Sequence, residues 1–133
     1  MLKMKLAANT RRISGFTLIE LLVVMTIIAI LISIVAPRYF SSVDKSKETV
    51  LRQDLYIIRD AIDKHYGDHD KYPDSLEDLV SKKYLRKVPV DPITDSPTTW
   101  VLVPPSDPEQ GGVFDLHSGA PGNARDGTPY SSW

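Results

Sequence analysis

The chain has 133 residues and a formal net charge of −1, room for one modest domain. It contains no cysteine, which excludes a disulfide framework, a thiol nucleophile and a zinc–thiolate site. The near-zero charge hides an asymmetry: Lys3, Lys5, Arg11 and Arg12 precede Phe16 with no acid among them, so the remainder is acidic and lacks the clustered cations that nucleic acid requires.

Residues 1–15 form a short basic leader. In an ordinary secretory signal the small-residue cleavage site follows the apolar run. Here the small-residue junction, Ser14-Gly15, lies before it, so cutting there removes the charges and keeps the hydrophobic segment. That segment, residues 16–36, is apolar except for Glu20 and its short hydroxyl residues. As a helix it rises roughly 31 Å at 1.5 Å per residue, enough to cross a bilayer core. A basic head before such a span fits cytoplasmic retention of the leader and export of the rest of the chain.

Glu20 is what a plain anchor does not explain. A carboxylate at the centre of an apolar span costs about 2.5–3.5 kcal/mol on insertion scales. Two readings stand. Glu20 sits near the interface and stays wet, or it pairs with the α-amino group that Phe16 gains when the chain is cut after Gly15, presented by a neighbouring copy. In the second reading the acid sets register during assembly.

Pro37 lacks an amide proton and its ring crowds the preceding turn, which predicts a kink or loosening. Residues 37–69 then continue as an amphipathic helix. Leu51, Leu55, Ile58, Ile62 and Tyr66 recur at helical spacing, and Val50, Ile57 and Ala61 widen the stripe. Residues 70–133 make up the remaining domain. Gly67 to Pro73 breaks the helix, and a short helix comes next, from Leu76 to Lys83. It is capped either by Ser75 with Asp78 or, one residue earlier, by Asp74 with Glu77. Val88 to Pro92 reads as an extended connector and Asp95-Ser96-Pro97 as a turn. Trp100 to Val103 and Val113 to His117 read as strands joined by a polar loop. Ser118 to Thr128 is a loop, and Pro129 to Trp133 is either an edge strand or a segment that packs Tyr130 and Trp133 on the sheet.

His65 and His69 stand four apart beside Asp68 and Asp70, a spacing that can hold a metal. Without further ligands at defined spacing they read as solvated residues at a helix end. His117 stands alone in a strand. Trp100 and Trp133 read as packing residues. The sequence carries no nucleophile motif and no glycine-rich phosphate loop.

Gly15-Phe16-Thr17-Leu18-Ile19-Glu20-Leu21-Leu22-Val23-Val24 resembles the processing motif of the type IV pilin and pseudopilin family. The resemblance implies cleavage by a prepilin peptidase between Gly15 and Phe16 and N-methylation of Phe16. It implies that Glu20 pairs with a neighbouring subunit's terminal amine, and Pro37 falls at the family's helix-loosening proline. The rest is similar to the major pseudopilins of type II secretion, the G type. The carrying residues are Lys71-Tyr72-Pro73, Leu76, Leu79, Tyr84-Leu85, Pro89, Asp91-Pro92, Phe114 to Ala120 and Trp133.

That likeness implies an α+β fold, a long N-terminal spine helix with a small antiparallel sheet packed on its C-terminal half. It implies a non-enzymatic subunit, held in the inner membrane with its C-terminal domain in the periplasm, that polymerises into a pseudopilus. Its implied partners are copies of itself, the prepilin peptidase, minor pseudopilins and an inner-membrane assembly platform. The alternatives are a type IV pilin or minor pilin and, from another class, a membrane-anchored periplasmic enzyme or binding domain. G-type members bind calcium in an Asp-rich loop after the second strand. Here that loop departs from the pattern, leaving Ser118 and Asp126 with backbone carbonyls as a calcium site, or a loop fixed without metal by an Arg125–Asp126 or Trp133 contact; Asp115 stands in the preceding strand.

Overall fold

A computed structural model describes residues 14–133. The leader expected over residues 1–15 lies outside the described residues except for Ser14 and Gly15. The chain divides after Tyr39 into two compact units, each described by itself. Helix α1, Leu18–His69, contributes to both and does not end at Pro37, which lies within it. Having no amide proton, Pro37 leaves the Ser33 carbonyl without its usual helical donor.

In the first unit α1 contains a window of mean hydropathy 3.0 with none of it buried within the chain, long and apolar enough to cross a membrane. Its hydroxyl groups are satisfied internally. Thr26 Oγ1 donates to the Leu22 carbonyl and Ser33 Oγ to that of Ala29, both at 2.7 Å. Such back-bonding lets a small polar side chain sit in an apolar helix without exposing an unmet donor.

In the second unit one stripe of α1 forms the floor of the core: Leu51, Leu55, Ile58, Ala61 and Ile62 are buried. The stripe continues at His65, not at Tyr66 as the apolar pattern predicts. His65 is 2% exposed and Tyr66 38%. Spacings of 4, 3, 4 and 3 hold a helical face better than a final 4, and tertiary partners make the imidazole acceptable there. Tyr66 instead stacks on Tyr72, ring centroids 4.5 Å apart. Val50 and Ile57 also stay exposed.

Helix α2, Leu76–Ser81, closes one side of the core with Leu76 and Leu79. The structure selects between the two capping registers: Ser75 Oγ accepts from the Asp78 amide at 3.2 Å. The helix stops short of Lys83, which adopts a positive φ of 66°. The amides of Tyr84 and Leu85 then turn back to the Leu79 carbonyl. Strand β1, Val101–Val103, pairs antiparallel with β2, Asp115–His117, with Leu102 opposite Leu116. Both are shorter than predicted. Trp100 is buried just before β1, its indole N–H donating to the Pro89 carbonyl at 2.9 Å. Val113 is buried just before β2. The chain's last stretch is a 3₁₀ turn, Tyr130–Ser132, so Tyr130 and Trp133 pack on the core without a third strand.

Candidate processing and assembly site

Ser14 to Thr17 precede α1 in irregular conformation, and Gly15 and Phe16 are exposed. Space around Gly15 is open. The Gly15–Phe16 bond therefore stands outside helical hydrogen bonding, with both residues exposed. Thr17 starts the helix: its Oγ1 accepts from the Glu20 amide at 3.1 Å, and its carbonyl accepts from the Leu21 amide at 3.1 Å. Thr17-x-x-Glu20 is thus the sequence form of a capping box, with its threonine half formed. Glu20 lies in the first turn, where a carboxylate meets the positive end of the helix dipole, worth about 0.3–1 kcal/mol. The reading from sequence missed this cap, although a threonine three residues before a glutamate at the head of an apolar run was its signal.

Of the contacts expected to fix the C-terminal loop, the one to Trp133 is present: its indole N–H donates to Thr128 Oγ1 at 2.9 Å. Ser118 is buried; its hydroxyl donates to Asp91 Oδ2 and accepts from the Ala120 amide. Asp91, also buried, accepts from the Ile93 amide at 2.8 Å through Oδ1. Asp126 is exposed. Its Oδ1 accepts from the amide and hydroxyl of Thr128, and its Oδ2 faces Arg52 at 3.6 Å. Thr128, and after it Arg52, hold the Asp126 carboxyl below its ordinary range. Ser118 and Asp126 therefore have separate sets of partners. Asp115 Oδ1 is taken by Arg59 Nε and the Leu116 amide, each at 2.8 Å. Arg59 Nη2 also donates to the carbonyls of Leu116 and Trp133, and His117 Nδ1 bonds the same Trp133 oxygen. Arg52 lies over the Trp133 ring, 4.3 Å from its centroid.

His65 is not a solvated helix-end residue. Its Nδ1 lies 2.7 Å from the Lys71 carbonyl, which can only accept, so Nδ1 carries the proton. That leaves the Nε2 lone pair for the Lys82 ammonium at 3.1 Å, and Lys82 in turn reaches Asp78 at 3.3 Å. His69 Nε2 lies 3.3 Å from the Tyr84 hydroxyl, which donates to Asp68. This bond to Asp68, with some desolvation, raises the Tyr84 pKa. Among the described residues, no group of three or more His, Asp or Glu side chains is arranged to hold a metal.

Residues 10–36 match the family model described as the prokaryotic N-terminal methylation motif. The type II secretion system core protein G of Pseudomonas aeruginosa is 37% identical over 124 residues, covering 81% of this chain and 83% of that protein. The protein of the same description in Escherichia coli is 30% identical over 123 residues, covering 80% and 81%. That of Klebsiella pneumoniae is 30% identical over 138 residues, covering 92% and 91%. No solved structure matches the chain. With a methylation motif leading into an apolar helix, and these relatives aligned over most of both chains, the chain belongs to the type II secretion system core protein G family.

Proposed function

We propose that this chain is the structural subunit of a type II secretion pseudopilus, acting by polymerisation and not by catalysis. The leader, residues 1–15, holds the precursor's N-terminus on the cytoplasmic side. A prepilin peptidase cuts between Gly15 and Phe16, and Phe16 is N-methylated. Residues 16–36 anchor the precursor in the inner membrane as a single span and then become the filament's core, with residues 37–69 continuing the spine. The domain over residues 70–133 faces the periplasm. Growth of the filament, on an inner-membrane platform and with minor pseudopilins, helps drive folded proteins across the outer membrane.

The observation that carries this reading is the apolar half of α1, wholly unburied within the chain, with Glu20 in its first turn. Such a helix needs lipid or neighbouring copies around it. Glu20 finds its counter-charge in the amine that cleavage creates on an adjacent subunit. Once the two are paired in an apolar bundle, removing either strands the other, which costs about 3–5 kcal/mol. Pro37 loosens the helix where the apolar and amphipathic halves meet.

The test is removal of the gene from its host. Exported enzymes should accumulate in the periplasm, and complementation with the intact gene, but not with a Gly15 variant carrying a bulky side chain, should restore their release. Normal secretion with loss of adhesion, motility or DNA uptake would point instead to a pilus.

A further inference from the structure

We propose that Glu48 of α1 holds the 118–128 loop in the place a cation would occupy, making the folded domain independent of calcium. The residues present do not fit the ion that the G-type resemblance implies. Calcium takes six to eight oxygens, several of them charged and free to turn inward. Here the oxygens already face donors. Asp126 Oδ1 receives both groups of Thr128, and its Oδ2 faces a guanidinium. Asp115 Oδ1 receives Arg59, and Ser118 is committed to Asp91. The positive charge beside these acids is supplied by Arg52 and Arg59.

The polarity of the fastening is the reverse of a metal loop's. There, anionic side chains in the loop close on a cation. Here the loop offers donors to an anion on the helix. Glu48 Oε1 accepts from the Arg125 amide at 2.8 Å and from the Tyr130 hydroxyl at 3.1 Å. Those donors lie on either side of Asp126 in sequence, 77 and 82 residues from Glu48, so one carboxylate oxygen fixes the loop and the turn after it to the spine together. The phenol's pKa is raised, by burial first and then by this bond to Glu48.

The loop's own geometry is complete around that clamp. The Ala124 amide donates to the Thr128 carbonyl at 2.7 Å, and the Gly127 amide to the Ala124 carbonyl at 3.0 Å. Gly122 and Gly127 take the positive φ values, 87° and 85°, that this tight path requires. A hollow of about 270 Å³ beside Glu48 is shared by Asp44 and Asn123, but also by Lys47 and Arg125, whose charges oppose a cation there.

The experiment uses the full-length chain in detergent, melted in chelator and in millimolar calcium chloride, with E48A and E48Q alongside. The wild type should melt at the same temperature in both buffers. E48A should melt about 4–8 °C lower, the shift expected for one lost interaction in a domain this size, and calcium should not restore it. E48Q, which keeps an acceptor oxygen, should recover part of the loss. Limited proteolysis well below the melting point should cut within residues 118–128 in E48A and spare the wild type. A chelator-induced fall in the wild type would overturn the proposal. So would an E48A chain with unchanged melting and unchanged protection of the loop. If E48A does not fold, the wild-type chelator comparison and E48Q still decide.

Discussion

Replacing Arg59 by alanine removes a side chain that ties α1 to β2 and to Trp133 at once. Its Nε donates to Asp115 Oδ1 at 2.8 Å, and its Nη2 to the Leu116 and Trp133 carbonyls, each at 2.9 Å. A hydrogen bond involving a charged group contributes about 1.5–3 kcal/mol. Three do not simply add. The arginine side chain is 37% exposed and that of Asp115 32%, so solvent screens the pair. Two of the acceptors also keep a partner: Asp115 Oδ1 retains the Leu116 amide, and the Trp133 oxygen retains His117. The expected loss is therefore about 2–3 kcal/mol. For a domain of this size that corresponds to a fall of roughly 8–24 °C in Tm. Intrinsic fluorescence is a suitable assay, because Trp133 sits in the contact and Trp100 in the core. Arg59→Lys keeps the charge but not the planar fork, so it should fall between the two. An Arg59→Ala chain that melts within about a degree of the wild type would refute the reasoning.

Three further outcomes are expected from the same structure. Gly119→Ala places a Cβ against the Thr99 carbonyl, backbone that cannot rotate away, and should cost about 1–3 kcal/mol in urea denaturation; an unchanged midpoint would mean the loop relaxes freely. Burial, and then the charge of Asp91, raise the Asp54 pKa above its ordinary 3.8. An acid whose folded pKa is raised opposes folding once it is charged, and this penalty disappears as the pH falls below its ordinary value. Asp54→Asn should therefore raise Tm at about pH 7, with a smaller gain near about pH 4, and a lower Tm at neutral pH would contradict the assignment. Glu20→Ala should be cleaved and inserted in the membrane yet fail to polymerise, as judged by filaments sheared from overexpressing cells; normal filaments would remove the pairing argument.

The helices and the N-terminal methylation motif were legible because their signals are local. The apolar run of residues 16–36 and the 4-and-3 spacing of Leu51 to Ile62 write their structure within a turn or two, whereas the two overlapping capping boxes before α2 left its register open. What failed depended on distant partners. His65 looks like a surface residue until the Lys71 carbonyl and Lys82 are brought to its two nitrogens. Tyr66 looks like core until Tyr72 draws it out onto the surface. The sequence does not choose between strand and packed turn for the C-terminal segment, because the deciding groups, Arg59 and Glu48, lie on a helix far back in the chain. The Thr17 cap is a different case: its signal was local and went unread behind the stronger claim of Glu20 on a partner.

The pairing of Glu20 with a neighbouring terminal amine is the central claim. It requires that the amine facing Glu20 exists only after Gly15 has been cut away, so maturation and assembly are inseparable. Mass spectrometry of the N-terminal peptide from the polymerised subunit measures this directly. The account predicts a peptide beginning at Phe16 with one added methyl group on its amine. Filaments whose subunits still carry Gly15, or any part of residues 1–14, would contradict it.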